Sequence, residues 1–154
     1  MRPDDTAHGP VPAYEFARHE KAAVYRAIET RRDVRNEFLS DPLSNELINK
    51  LLSAAHSAPS VGFMQPWRFI RVTDAALRDQ LHACVEAERQ CTADALGQRR
   101  EDFLRLKVEG VRDAAELVVV ALADGREAHV FGRRTLPHMD LASVACAIQN
   151  LWLA

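Results

Sequence analysis

Cysteine is scarce in this chain of 154 residues, and its three copies form no pattern that would cross-link a fold or hold a metal. Cys84, Cys91 and Cys146 are an odd number, and no two of them form a Cys-x-x-Cys pair. This argues against a disulfide framework and against a structural zinc site. We expect each cysteine to behave as a small, buried apolar residue.

Several signatures of catalysis and nucleotide binding are missing as well. The chain has no Gly-x-Gly-x-x-Gly or P-loop sequence, which argues against the common modes of nicotinamide and nucleoside-triphosphate binding. It also has no Gly-x-Ser-x-Gly nucleophile motif. Its histidines do not pair at the spacing of metal ligands beside an acidic residue. We therefore predict that no metal takes part in the function.

Long apolar runs and a strong excess of charge are also absent. No uninterrupted apolar run approaches the roughly 20 residues of a transmembrane helix, and the acidic, proline-bearing N-terminus lacks the apolar core of a signal peptide. The net charge of −2 provides no bulk attraction to nucleic acid or to an anionic membrane. These features predict a cytoplasmic protein that binds neither nucleic acid nor a membrane, and in which any phosphate recognition is local.

What is present is a mixture of helical and strand-like patterns, which predicts an α+β fold with helices packed on a central mixed sheet. Residues 1–15 have the composition of a flexible arm, and residues 16–154 would form one domain. The predicted helices cover 16–30, a span from a cap at Ser44 to a stop at Pro59, a span from a cap at Asp74 to Gly97, then 99–110, and a last one capped by Asp140. The predicted strands cover 67–73 and 117–123, and a loop covers 125–137.

The last helix keeps its apolar pattern up to Ala154, without a glycine, a proline or another C-terminal cap. We interpret this as a chain truncated inside a helix, so that the domain is incomplete and its C-terminal part is missing. Two strands are also too few to cover this many amphipathic helices. The missing strands would then come from further sequence or from a partner subunit.

Two segments carry the chemistry of the chain. Arg31-Arg32-Asp33-Val34-Arg35 places three guanidinium groups around one carboxylate, directly after a helix. Guanidinium groups recognise phosphate through paired donors in a fixed plane, although a solvated, charged helix end is the alternative for this cluster alone. The second segment, Pro59 to Trp67, is rich in turn residues and leads into a strand. In it Gly62 permits close backbone approach, while Ser60 and Gln65 supply polar contacts.

The runs that contain these two segments, Tyr25 to Arg35 and Ser57 to Trp67, resemble the BluB family of 5,6-dimethylbenzimidazole synthases, within the nitroreductase-like superfamily, as does the final run Cys146-Ala147-Ile148-Gln149-Asn150-Leu151-Trp152-Leu153-Ala154. The resemblance extends over about residues 22–154. It implies a nitroreductase-like fold and a homodimer that binds FMN. It further implies an oxygenase that fragments reduced FMN with molecular oxygen and releases 5,6-dimethylbenzimidazole, the lower ligand of cobalamin. FMN is then a substrate as much as a cofactor, and an external flavin reductase reduces it.

The resemblance also assigns roles to individual residues. Asp33 matches the family's catalytic aspartate and would act as the base when carbon–carbon bonds break, although it also has the position to neutralise neighbouring arginines. We expect two of the three arginines to contact the flavin and one to pair with a structural carboxylate. The amide of Val61 or of Gly62 would donate toward the ring edge near N5 or toward bound oxygen. The residues assigned to FMN binding are Arg31, Arg32, Val34, Arg35, Ser60, Val61, Gly62, Met64 and Gln65.

Two residues depart from the pattern of ordinary nitroreductases. Asp33 replaces a small polar residue, and Phe63 replaces an asparagine. Both substitutions count against the first alternative, an NAD(P)H-dependent nitroreductase or flavin reductase. The second alternative is an inactive, truncated fragment that acts only as a binding protein. For Phe63, Met64 and Trp67 we expect core packing rather than a direct catalytic role.

Overall fold

The computed structural model of this chain describes residues 15–35, 37–123, 136 and 138–154. The predicted N-terminal arm, apart from Glu15, and the predicted loop at 125–137, apart from Leu136, lie outside the described residues. Contacts along the chain divide it into two units, of which the first comprises Met1–Arg32 with Leu153 and the second comprises Asp33–Trp152 with Ala154.

The first unit contains helix α1, Arg18–Thr30, which confirms the helix predicted at 16–30. The helix begins after Ala17, whose backbone amide donates a 2.6 Å hydrogen bond to Oε2 of Glu20 in the first turn. Its alanine-rich sequence favours this conformation. Val24 and Ile28 repeat at helical spacing but are exposed, and α1 has no buried residue in the described part of the chain.

The second unit begins with two long helices, α2 at Asn45–His56 and α3 at Ala75–Ala95. Both start at the predicted caps. The Ser44 hydroxyl accepts a hydrogen bond from the Leu47 amide at 3.2 Å, and the Asp74 carboxylate accepts one from the Leu77 amide at 2.7 Å. Each bond satisfies one of the amides that a helix N-terminus leaves without an internal partner.

The helices that follow are shorter, except for the last. They are α4 at Arg100–Leu104, α5 at Gly110–Asp113 and α6 at Met139–Leu153. Gly97, which has a left-handed φ of 55°, separates α3 from α4 as predicted. Glycine adopts this conformation without the steric cost that a Cβ atom brings, which is why it commonly ends helices.

Strands β1, Trp67–Arg71, and β2, Val118–Leu122, pair antiparallel, with Phe69 opposite Val120. Backbone hydrogen bonds prolong the pairing at both ends, from the Val72 amide to the Leu117 carbonyl and from the Ala123 amide to the Pro66 carbonyl, each at 2.8 Å. Helices with a small sheet confirm the α+β class. In the described residues the sheet consists of this antiparallel pair, and the parallel pairing that a mixed sheet would add stays a prediction.

A small core lies where α2, β1 and α6 meet. Its buried members are Ala58, Trp67, Val144 and Ala147, with Phe69 and Val120 packed against them. Ala147 lies on α6 and Ala58 follows the end of α2, and the Asn150 side chain of α6 donates a 3.1 Å hydrogen bond to the Ala54 carbonyl of α2. This core therefore holds both ends of the segment that connects α2 to β1.

The single helix predicted at 99–110 is wrong, because the chain leaves the helical conformation after Leu104 and resumes it at Gly110. Side chains satisfy the backbone groups in between. The Arg89 guanidinium donates to the Leu104 carbonyl at 2.7 Å, and the Glu109 carboxylate accepts from the Val108 amide at 2.9 Å. Such bonds give the backbone an alternative to the helical ladder.

Two smaller predictions also fail. Asp140 does not cap α6, because the helix begins at Met139 and Asp140 is buried within its first turn. The cysteines are not buried either. Cys84 and Cys91 lie on exposed positions of α3, and α6 buries Ser143, Val144 and Ala147 while it leaves Cys146 exposed.

Candidate active site

Five of the predicted site residues lie in one tight turn between α2 and β1, which we call the 60–65 turn. They are Ser60, Val61, Gly62, Met64 and Gln65. A single 3-10 turn at Val61–Phe63 forms its centre. The Phe63 amide donates to the Ser60 carbonyl at 3.1 Å, and the Gln65 amide donates to the Ser60 hydroxyl oxygen at 3.0 Å. Ser60 thus closes the turn with both its backbone and its side chain, while its hydroxyl hydrogen can still be donated outward.

The backbone of this turn is left-handed at three positions. The φ angles are 54° at Gly62, 54° at Phe63 and 47° at Gln65. Glycine tolerates this conformation, but a residue with a Cβ atom loses roughly 1–2 kcal/mol in it. Strain of this kind persists where the surrounding structure enforces it, and it is frequent at functional sites.

The turn places the Phe63 side chain outside the core, with 82% of its surface exposed. The prediction of core packing is therefore wrong for Phe63. It is confirmed for Trp67, which is 3% exposed, and Met64 is half-buried. Phe63, with its left-handed backbone, thus lies outside the core, whereas Pro66 and Trp67 are buried.

Ser143 on α6 holds the start of the turn. Its hydroxyl oxygen accepts a hydrogen bond from the Val61 amide at 3.1 Å, and the hydroxyl donates to the Met139 carbonyl at 2.6 Å. The Val61 amide is thus engaged within the protein. The first bond of the 3-10 turn starts from the Phe63 amide, so the Gly62 amide precedes the helical ladder. Of the two amides that we expected to donate to a ligand, those of Val61 and Gly62, the Gly62 amide is therefore the better candidate.

His56, the last residue of α2, holds the end of the turn. Its ring Nδ1 accepts a 3.1 Å hydrogen bond from the Trp67 indole, and its carbonyl accepts a 3.5 Å bond from the Gln65 side-chain amide. The second bond is at the outer limit of hydrogen-bond length. The Gln65 side-chain oxygen is the group of this residue best suited to receive a ligand donor.

The arginine-rich segment crosses the boundary between the two units. Arg31 and Arg32 belong to the first unit and follow the end of α1. The Arg32 guanidinium donates to the Glu29 carbonyl at 2.9 Å and to the Arg31 carbonyl at 2.7 Å. Arg32 thereby satisfies carbonyl groups that the helix C-terminus leaves exposed, which is a stabilising position for a cation.

Asp33, Val34 and Arg35 belong to the second unit, and all three are exposed. The Arg35 guanidinium lies 3.3 Å from the Asp33 carboxylate, with about half of each side chain exposed, 50% and 51% respectively. An ion pair this exposed contributes little to stability and can reorganise around a ligand at small cost. It also agrees with the interpretation that Asp33 neutralises a neighbouring arginine.

Two residues that position this site, Ser143 and His56, were not predicted from the sequence. Ser143 lies 82 residues from its partner Val61, and no local pattern relates the two. His56 lies three residues before Pro59, where the second segment begins, and its nearness to Trp67 in the sequence was the available signal. Within the described ranges, no three His, Cys, Asp or Glu side chains are grouped so as to hold a metal ion. The helices described there include none that is long and apolar enough to cross a bilayer.

Two ion pairs of the scaffold contain groups whose pKa values are shifted. Hydrogen bonds from Arg89 and Gln90 lower the pKa of Glu86 on α3 to about 2. A hydrogen bond from Arg71 lowers the pKa of Glu116, and the same bond raises the pKa of Arg71. The first pair ties α3 to α4 through the Arg89 bond to Leu104, and the second lies where β1 ends and β2 is about to begin.

Comparison with known proteins places the chain in a family. Residues 28–154 match the model of the Nitroreductase family. The 5,6-dimethylbenzimidazole synthase of Rhodospirillum rubrum is 41% identical over 129 residues, which cover 80% of this chain and 59% of that protein. A 5,6-dimethylbenzimidazole synthase of Rhodobacter capsulatus is 36% identical over 141 residues, which cover 90% of this chain and 68% of that protein. The chain thus spans 59% and 68% of the lengths of these two relatives.

Solved structures agree on the fold. An oxidised iodotyrosine deiodinase bound to FMN and 3-iodo-L-tyrosine matches with a TM-score of 0.67 at 23% identity, over 84% of this chain and 67% of that chain. A BluB-like flavoprotein from Clostridium difficile matches with a TM-score of 0.58 at 21% identity, over 84% of this chain and 68% of that chain. The predicted nitroreductase-like fold is confirmed. The chain belongs to the nitroreductase family, in the branch of the 5,6-dimethylbenzimidazole synthases.

Proposed function

We propose that this protein is a 5,6-dimethylbenzimidazole synthase, which fragments reduced FMN with molecular oxygen. The main support is the 60–65 turn, in which Ser143 occupies the Val61 amide and the exposed Gly62 retains an amide for a ligand. This turn lies on a chain that is 36–41% identical to two 5,6-dimethylbenzimidazole synthases.

The groups at the site suit FMN chemically. The ligand has a flat ring with acceptor atoms, a hydroxyl-bearing chain and a phosphate dianion. The turn offers one backbone amide, the Ser60 hydroxyl and the Gln65 side chain, which match ring and hydroxyl groups. The arginines match the phosphate. Reduced FMN, when bound, supplies an electron-rich ring that reacts with oxygen, and no metal is needed for that chemistry.

Each residue then has a distinct task. Gly62 donates its amide to the ring edge, and Ser60 and Gln65 fix the orientation of the ring or of the hydroxyl-bearing chain. Arg31 and Arg35 bind the phosphate. Arg32 donates to the Glu29 carbonyl at the end of α1, and it contacts the ligand from that position. Met64, Val61 and Val34 supply apolar surface that excludes water from the ring.

Asp33 is the proposed base. Its carboxylate is half-exposed and pairs with Arg35 at 3.3 Å, so it is accessible from solvent and near a cation. A ligand phosphate that attracts Arg35 would draw this guanidinium away from the carboxylate, which acts as the proton acceptor. A positioned base of this kind contributes about 10²–10⁴-fold to a rate. Asp33 is also one of the two residues at which this chain departs from the pattern of ordinary nitroreductases.

The assembly follows from the same proposal. Residues 16–154 form the FMN-binding domain, and the active form is a homodimer. Exposed apolar side chains on α1, which include Val24, Tyr25 and Ile28, support a protein interface on this helix. The protein works in the cytoplasm with a separate flavin reductase, which delivers FMN already reduced.

Aerobic incubation of the purified protein with chemically reduced FMN, followed by chromatography for 5,6-dimethylbenzimidazole, tests the proposal. A parallel incubation without oxygen is the control, since the reaction requires oxygen. Product in the aerobic sample alone supports the synthase. Clean recovery of oxidised FMN from a protein that binds it would instead support a nitroreductase or flavin reductase. Absence of FMN binding would support a flavin-free binding protein.

A further inference from the structure

A hydrogen bond between α6 and the 60–65 turn joins residues that are 82 positions apart in the sequence. The Ser143 hydroxyl oxygen accepts from the Val61 amide at 3.1 Å, and the hydroxyl donates to the Met139 carbonyl at 2.6 Å. Ser143 is 3% exposed. The bond to Met139 fixes the direction of the hydroxyl hydrogen, so the oxygen presents a lone pair to the turn.

This bond determines which amide of the turn remains for a ligand. The amides of Val61 and Gly62 both precede the first bond of the 3-10 turn, which starts at Phe63. Ser143 engages the first of them and leaves the second, and Gly62 is exposed. Without the bond, both amides would compete for water or ligand, and the left-handed residues that follow would lose one of the contacts that hold them in place.

The geometry points to Ser143 as a positioning residue for the flavin: by binding the Val61 amide, it orients the Gly62 amide toward the ring. This inference rests on the proposed function, because it requires that the 60–65 turn binds FMN. Ser143 itself does not touch the ligand. It acts through the backbone, from a helix that the core residues Val144 and Ala147 hold in place.

Two substitutions remove the same hydrogen bond from opposite ends. Ser143→Ala removes the acceptor. Val61→Pro removes the donor, and it suits the first residue of the 3-10 turn because Ser60 before it has the extended backbone that precedes proline, with φ −141° and ψ 146°. Ser53→Ala is the matched control, since the Ser53 hydroxyl makes the same bond to its own helix, to the Asn49 carbonyl at 2.8 Å.

The affinities for oxidised and reduced FMN are measured by anaerobic calorimetric titration, together with the amide chemical shift of Gly62 by NMR. We expect Ser143→Ala and Val61→Pro each to weaken binding by about tenfold, the effect of one lost hydrogen bond. The double variant should be little weaker than either single variant, because both act on one bond. The Gly62 amide shift induced by FMN should shrink in both, and the ratio of the two affinities should change. Ser53→Ala should bind as the parent does.

Parent-like affinity and a parent-like Gly62 shift in both variants would overturn the inference. Fully additive losses of affinity in the double variant would also overturn it. The same holds for an equal loss of affinity for oxidised and reduced FMN with no change in the Gly62 shift, because a general loss of structure produces that result. If Ser143→Ala unfolds, Val61→Pro decides alone. A parent that binds FMN with the expected Ser143 effect but forms no 5,6-dimethylbenzimidazole would reject the proposed reaction and support the positioning role. A parent that does not bind FMN would reject both.

Discussion

The Trp67 indole donates a 3.1 Å hydrogen bond to Nδ1 of His56, and the two rings meet edge to face with their centroids 6.0 Å apart. The bond requires the neutral His56 tautomer whose proton is on Nε2, because Nδ1 acts as the acceptor. It joins the last residue of α2 to the first residue of β1, across the whole 60–65 turn. The turn is therefore closed at its base by a side-chain contact in addition to its own backbone bonds.

Replacement of Trp67 by phenylalanine should destabilise the protein by about 2 kcal/mol, since it removes the indole donor and leaves unfilled space in the core. The free energy of unfolding by urea measures the effect. Phe16→Leu is the control, because Phe16 is 66% exposed and its replacement should change the stability by less than about 0.5 kcal/mol. Equal effects of the two substitutions would contradict the role assigned to the Trp67 contact.

Replacement of Phe63 by asparagine should stabilise the folded chain by about 1 kcal/mol, because asparagine tolerates the left-handed φ of 54° better than phenylalanine does. The exposed ring contributes little burial that could be lost. Met64→Asn is the control in the same turn, since Met64 has an ordinary φ of −71° and should gain nothing. Thermal unfolding of both variants checks the prediction, and a loss of stability in Phe63→Asn would count against backbone strain at this position.

Acid should destabilise the parent protein more than a Glu86→Gln variant, because only the parent has the Glu86 carboxylate. The pKa of Glu86 is lowered to about 2 in the folded protein from an ordinary value of 4.5, chiefly by the hydrogen bond from Arg89. A lowered folded-state pKa adds stability that is present above the ordinary pKa and lost as the pH falls toward the folded one. The free energy of unfolding of the parent should thus fall more steeply between pH 4.5 and 2 than that of the variant.

Glu88→Gln is the control for this titration, because the Glu88 carboxylate accepts from the Thr92 hydroxyl rather than from an arginine. It should retain the parent's acid dependence. Parallel curves for the parent and Glu86→Gln would indicate that the Arg89 bond does not persist in solution.

The sequence predicted the elements whose signals are local. Ser44 and Asp74 mark helix starts because their side chains bond amides three residues away, and Gly97 marks a break because of its own backbone. The helix at 99–110 was wrong because Arg89, from another helix, binds the Leu104 carbonyl. The spacing of apolar residues carries no information about a side chain that binds the backbone from another helix.

The same distinction holds for the candidate site. The second motif identified the 60–65 turn, and the structure brings its five predicted members together. The bond from Val61 to Ser143 escaped prediction since it depends on how α6 packs. The exposure of Phe63 escaped it as well, because a hydrophobic side chain favours the core unless the backbone turns it outward, as the left-handed φ does here.

The rate at which 5,6-dimethylbenzimidazole forms from reduced FMN under oxygen tests the central claim most directly. It is measured for the parent, for Asp33→Asn and for the control Asp41→Asn. We predict product from the parent and from Asp41→Asn, and at least about a hundredfold slower formation by Asp33→Asn, which lacks the base. Recovery of intact oxidised FMN from all three proteins, with no 5,6-dimethylbenzimidazole, would contradict the account.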